Sequence, residues 1–161
     1  MVRRQAYQEC LERRGATKIA LAHHQNDMAE TLLFHLSRGT SLPGMAAIRP
    51  VNGAMIRPLL CISREEIEHD LNNRGIVWRT DSTNLEDDYT RNSIRHQMIP
   101  YLERRVNVQT VRHMAEAAGD LEAAGHFLRE EALKRMKELG FHANVLAGVH
   151  SPVGLQIGAQ T

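Results

Sequence analysis

The seven residues "TKIALAH", 17–23, constrain this chain more than any others. They form a short apolar run bounded by Gly15-Ala16 on one side and polar residues on the other, the pattern of a buried strand. Helical spacing lies on both sides of it. Residues 2–14 place Ala6, Cys10 and Leu11 on a modest apolar stripe that Gly15 ends. Residues 27–38 place Met28, Leu32 and Leu36 on one side of a helix, with Leu33 and Phe34 beside them. Helix, strand and helix in this order predict an α/β unit with a parallel sheet. With 161 residues, 42% of them hydrophobic, there is material for one ordinary globular domain, or one and a piece of another.

Further along, "SLPGM", 41–45, reads as a loop. "AMIRPLL", 54–60, reads as extended, because the residue before Pro58 is pushed out of helical space. Ser63 and Glu66 have the spacing of a capping box, opening a helix that runs to about Asn73 and that Gly75 closes. "IVWRTDSTN", 76–84, predicts a short strand and a polar turn. From Asn92 the chain reads as mainly helical. Val111, Met114, Ala118, Leu121, Leu128 and Ala132 fall near a 3-4 repeat, which predicts a long amphipathic helix. Gly119 and Gly125 weaken it, each by roughly 1 kcal/mol relative to Ala. After Gly140, "AGVHSPVGLQIGAQT" reads as a strand-and-turn fragment.

A net charge of +1 gives the molecule no strong overall field, so contact with nucleic acid needs a local patch. Cys10 and Cys61 form no CxxC and no zinc-ligand spacing, as in a protein with reduced thiols. "MVRRQAYQEC" has no apolar signal-peptide core, and no apolar run approaches the roughly 18 residues of a bilayer span. The expectation is a cytoplasmic protein with no membrane partner.

Most of the chemistry lies in "LAHHQNDMAET", 21–31. His23, His24, Asp27 and Glu30 are all possible metal ligands, but adjacent histidines at a strand end point to opposite faces, and HExxH spacing is absent. No metal is expected. Asp27 also has the place of a helix cap, with Glu30 three residues on as in a capping box. A third reading puts the same residues at the carboxyl end of a strand, where open α/β sheets bind ligands. Carboxylates three apart share a helix face and can hold an amine together. Spacing does not choose between cap and pocket, and the two can coexist because a capping carboxylate has a second oxygen.

Four segments carry a resemblance. "AHHQNDMAETLLFHLSRG" (22–39), "RPLL" (57–60), "DSTN" (81–84) and "RNSIRHQMIPYL" (91–102) follow one another in the order seen in the tRNA(Ile)-lysidine synthetase family of PP-loop ATP pyrophosphatases. Over roughly residues 2–130 the chain resembles that family. The resemblance implies a partial PP-loop (adenine nucleotide alpha-hydrolase-like) domain with a parallel sheet at 1–90, a helical substrate segment at 91–140, and an unassigned tail at 141–161. It implies an ATP- and Mg2+-dependent ligase. Such enzymes adenylate C2 of the wobble cytidine of an isoleucine tRNA, and the ε-amine of free lysine then displaces AMP. In that scheme Asp27 and Glu30 bind the lysine, and Asp27, Glu30 and Arg91 are catalytic. His23, His24, Arg38 and Gly39 lie near the nucleotide, and Arg91, Asn92 and Arg95 contact the tRNA. Read without the resemblance, the arginine segment is a solvated helix face that Glu86, Asp87 and Asp88 can pair with.

The sequence departs from the family in stated ways. It has no glycine-rich SGGxDS loop and no Gly-Gly pair, so part of the ATP site is missing and the chain by itself is expected to be inactive. An N-terminal partner segment is the expected supplier of that part, and a homo-oligomer is the other partner arrangement expected. Asn26 stands first where the family carries an Asp-Asp pair, with Asp27 second. The tail "GVHSPVGLQIGAQT" resembles a segment of the xanthine dehydrogenase accessory (XdhC/CoxI) family instead. The readings that compete with the ligase are a non-catalytic tRNA-binding module and a related PP-loop tRNA thiolase. Thiolases usually carry closely spaced cysteines, which Cys10 and Cys61 do not supply.

Overall fold

A computed structural model describes residues 2–78 and 89–140. "DSTN", the acidic triplet 86–88 and the tail 141–161 lie outside the described residues. Helix α1 spans Val2–Arg14 and stops at Gly15, whose φ of 60° is the left-handed conformation that glycine adopts without strain. Strand β1 is Ile19–Ala20, α2 is Gln25–Arg38, α3 is Leu42–Met45, β2 is Val51–Asn52 and β3 is Met55–Ile56. Helix α4 is Arg64–Asn73 and α5 is Tyr89–Ser93. A π-helical turn over Ile94–Met98 leads into α6, Ile99–Arg105, and then α7 runs over Thr110–Glu138.

The α/β expectation holds, with corrections to its parts. The sheet has the order β1-β3-β2 and is mixed: β1 pairs with β3 in parallel (Ile19 with Met55, Ala20 with Ile56), and β2 pairs with β3 as an antiparallel hairpin. Strand β1 is shorter and less buried than its apolar run suggests, with Ile19 half-buried and Ala20 exposed. Its ladder ends because β3 does. Leu21 N–H still donates to Ile56 O at 2.8 Å, but Arg57 then turns its amide to Pro50 O and Pro58 has no N–H to offer. "SLPGM" holds a short helix, Leu42–Met45, in place of the expected loop, with Pro43 in its first turn, where the fixed φ suits a helix start. Ile76–Trp78 form no strand, and Val77 is 92% exposed.

The chain divides into two compact units, Met1–Gly125 and His126–Thr161. The first holds two apolar clusters. Met28 and Leu32 of α2 pack with Leu60 and with Ala115 and Ala118 of α7, flanked by Met45, Ala47 and Ile48. Ala29 of the same helix packs with Ile94, Ile99 and Val111, flanked by Leu33 and Phe34. Met114 touches both clusters. Helix α2 is thus the central element, although Leu36, expected on its apolar side, is 48% exposed. In the second unit, Leu128 and Ala132 of the expected α7 stripe are exposed, and the described residues carry surface ion pairs such as Arg135–Glu138 at 2.8 Å.

The π-turn has a local cause. In a regular helix, residues five apart lie about 140° from one another around the axis, so Ile94 and Ile99 could not face one core. The wider turn closes the Ile99 N–H on Ile94 O and brings both side chains into the same cluster. Pro100 favours this arrangement, because it has no N–H for the carbonyl four residues back.

Candidate functional site

Two helix starts meet beyond the carboxyl ends of β1 and β3. His24 is the N-cap of α2, with extended backbone, and Asp27 Oδ2 accepts its N–H at 3.0 Å. Asn26 Oδ1 accepts the Arg64 N–H at 2.9 Å, at the first residue of α4. Gln25 N–H donates to Ile62 O at 3.0 Å, and its side-chain amide to Cys61 O at 3.1 Å. Helix α4 forms the expected capping box, with Ser63 N–H donating to Glu66 Oε2 at 2.7 Å and Glu66 N–H to Ser63 Oγ at 3.1 Å. Asn26 is therefore a clamp between helices.

A cleft of about 500 Å³ opens beside this junction. Its walls include His23, Asp27, Glu30, Thr31 and His35, with Arg49, Asn52 and Arg57 from the β2–β3 side, and Arg91 and Arg95. Glu30 is only 5% exposed, and Arg95 from the π-turn grips it bidentately, Nε to Oε1 at 2.6 Å and Nη2 to Oε2 at 2.8 Å. The bond to Glu30 strengthens the guanidinium's hold on its proton. Arg95 Nη2 also stands 3.6 Å from Asp27 Oδ1. Asp27 is thus not the N-cap that its place in the sequence suggested but the third residue of the helix, whose carboxylate reaches back to the N-cap His24 while also lining the cleft. Both Glu30 oxygens, by contrast, are already taken by Arg95.

His23 sits at the end of β1's extension and accepts a hydrogen bond at Nδ1 from Arg57 Nε, 3.2 Å away. Burial holds its pKa below the ordinary imidazole value. Arg57, His24 and Arg91 add to the lowering, and Asp27 opposes it. His35 contacts Gly44 O through Nδ1 at 2.6 Å. Phe34 carries the Arg38 guanidinium 4.8 Å from its ring centroid and the Arg91 guanidinium at 5.4 Å.

The cleft thus gathers Asp27, Glu30, His23, Arg91 and Arg95. Four other residues singled out from sequence do not line it. His24 turns its ring into the helix start, where Nδ1 is buried without a hydrogen-bond partner. Arg38 lies on Phe34, Asn92 is half-buried outside the cleft, and Gly39 ends α2 with a φ of 76°. Sequence reasoning assigned no role to Arg49, Asn52 or Arg57. Only Arg57 carried a signal, as the first residue of "RPLL".

Four arginines against two carboxylates suit an anionic ligand, such as a chain of phosphates, with one acidic spot for a cation. They do not fit a magnesium site. No group of three His, Cys, Asp or Glu that could hold a metal occurs among the described residues, and Glu30 and Asp27 already have oxygens committed. No helix among the described residues is long and apolar enough to cross a membrane.

The sequence profile of the PP-loop domain matches residues 1–102. This chain belongs to the PP-loop family. Among curated proteins it is similar to the tRNA(Ile)-lysidine synthase of Caldanaerobacter subterraneus subsp. tengcongensis, 43% identical over 86% of this chain and 30% of that protein. The tRNA(Ile)-lysidine synthase of Bacteroides thetaiotaomicron is 48% identical over 71% of this chain and 27% of its own length. That of Bacillus subtilis is 42% identical over 63% and 22%. The chain spans less than a third of the length of these PP-loop relatives. Their shared name agrees with the resemblance read from "AHHQNDMAET" and "RNSIRHQMIPYL".

Proposed function

We propose that this chain supplies part of the catalytic domain of a cytoplasmic ligase, which uses ATP to join lysine to C2 of the wobble cytidine of an isoleucine tRNA. The observation that carries the reading is the cleft itself. At the carboxyl end of two parallel strands, Asp27 and a Glu30–Arg95 pair face three further arginines. A reaction between a cationic amine and a polyanion needs that combination.

On this reading Asp27 takes the ε-ammonium of lysine. It accepts a proton from the ammonium, a task suited to a carboxylate within hydrogen-bond reach; the freed amine then attacks the adenylated C2, and the C2–O bond breaks as AMP leaves. Glu30 holds Arg95 in place and adds negative charge beside the amine. Arg91, Asn92 and Arg95 face the RNA, with Arg91 balancing charge on the reacting group. His23 faces the nucleotide phosphates; His24 sets the start of α2 beside it, and Arg38 and Gly39, at the far end of that helix, take no part in this cleft. A partner segment carrying the SGGxDS loop supplies the rest of the nucleotide site, where magnesium would be held. The relatives' shared name favours ligation over thiolation.

The test is transfer of labelled lysine to an isoleucine tRNA with a wobble cytidine, using this chain joined to an N-terminal segment that carries SGGxDS. Lysine-dependent transfer is expected, falling by at least about 100-fold in Asp27→Asn. A folded, joined protein that binds the tRNA in a salt-sensitive way yet transfers no lysine would replace the ligase with a tRNA-binding module.

A further inference from the structure

We propose that Arg57 is a positioning residue that locks His23 in the tautomer whose Nε2–H serves the cleft as a neutral donor to a phosphate oxygen. The inference rests on the reading of the cleft as the seat of a phosphorylated substrate, and it assigns a role to a residue that neither "RPLL" nor the arginine segment explained.

Arg57 is held at several points. Its backbone N–H donates to Pro50 O at 2.9 Å, and Nη1 donates to Arg49 O at 2.7 Å. These bonds fix the guanidinium so that Nε points at His23 Nδ1, 3.2 Å away. An arginine side chain has no acceptor and stays protonated, so the atom it meets must offer a lone pair. Nδ1 of His23 is therefore unprotonated, and the single proton of the neutral ring resides on Nε2. Protonating Nδ1 would set N–H against N–H and break the contact.

The surroundings agree. Within reach of the ring, Asp27 of α2 favours the imidazolium. Burial, Arg57 at the end of β3, His24 and Arg91 of α5 all oppose it. The ring is thus kept neutral in a cleft where it could otherwise titrate near neutrality. A neutral, fixed N–H differs from the arginines around it. It offers direction without adding charge, and it has no spare proton to give a phosphate oxygen. The oxygen it meets belongs either to a nucleotide polyphosphate or to an RNA phosphodiester, and both present the same acceptor.

The experiment is 15N NMR of the histidine rings in the full chain, with His23 assigned by its loss in His23→Gln. The expected wild-type signature at neutral pH is an unprotonated Nδ1 and a protonated Nε2. In Arg57→Gln the Nδ1 signal moves toward a tautomer mixture and the His23 titration midpoint rises, because a cation and a competing bond are gone. Arg57→Lys, which keeps a donor and a charge, restores part of both shifts and guards against a folding artefact. An unchanged tautomer and midpoint in a folded Arg57→Gln chain overturns the positioning role. Inorganic pyrophosphate in one arm, and a short single-stranded RNA in the other, should displace the Nε2 signal in the wild type. Whichever does so identifies the source of the oxygen, and displacement by neither overturns the donor role. Failure of lysine transfer with these signatures intact would sink the ligase reading alone.

Discussion

At the scale of single residues, the Glu30–Arg95 pair decides most of what the cleft can do. Glu30 is nearly without solvent, while the Arg95 side chain keeps 30% of its exposure. Taking the carboxylate out of water is costly, and the two short bonds to the guanidinium offset that cost. Removing Glu30 leaves Arg95 half-buried with Asp27 as its one carboxylate partner among the described residues. Glu30→Ala should lower stability by about 2 kcal/mol, under the roughly 3–5 kcal/mol of a fully buried pair because water can reach Arg95. Urea denaturation measures it, and a midpoint unchanged from wild type would show that the pair adds nothing to folding. The three-residue spacing of Asp27 and Glu30 was legible in sequence, as was their place after a strand. The partner of Glu30 was not, because Arg95 lies 65 residues away and its own motif pointed to RNA.

At the scale of elements, the most local features were the most legible. The α4 capping box follows from four consecutive residues, and both of its bonds form. Ser63→Ala should cost roughly 1 kcal/mol through the lost cap. It should also change a titration. Bonds from the Ser63 backbone and hydroxyl hold the Glu66 carboxyl below its ordinary range. A carboxyl lowered in the folded state contributes stability above its ordinary pKa, and that contribution is lost as pH falls through the folded value. An NMR titration of Ser63→Ala should find Glu66 moved back up toward the ordinary value, and no movement would mean that the hydroxyl bond is immaterial. Features that depend on distant partners were not legible. The apolar run 17–23 marks a strand, but Pro58 on its neighbour sets where the pairing stops. The π-turn escapes any count of helical periods, since it exists to bury both Ile94 and Ile99. Arg57 and His23 meet across 34 residues, from motifs that show nothing of each other in sequence.

At the scale of the whole molecule, charge is placed rather than accumulated. The net charge is +1, yet four arginines line one cleft. If RNA binds there, the salt dependence should be set by those few groups. Removing Arg91 should reduce the slope of log affinity against log salt by about one, with affinity falling uniformly across RNA sequences. Fluorescence titration of a labelled tRNA across a salt series measures the slope, and an unchanged slope would place Arg91 outside the RNA contact. The Glu30–Arg95 contact has a consequence at this scale too. On the proposed reading, the place meant for a small cationic substrate is already tenanted by a cation tethered to the protein itself. A free amine competes with a rival that never diffuses away, and whose local concentration the chain fixes. The amine's measured affinity is then the outcome of an exchange, set as much by where else the guanidinium can go as by Asp27. On that reading a phosphate that shares Arg95 with Glu30 alters the charge Asp27 presents to the amine, so the two substrates do not bind independently of each other.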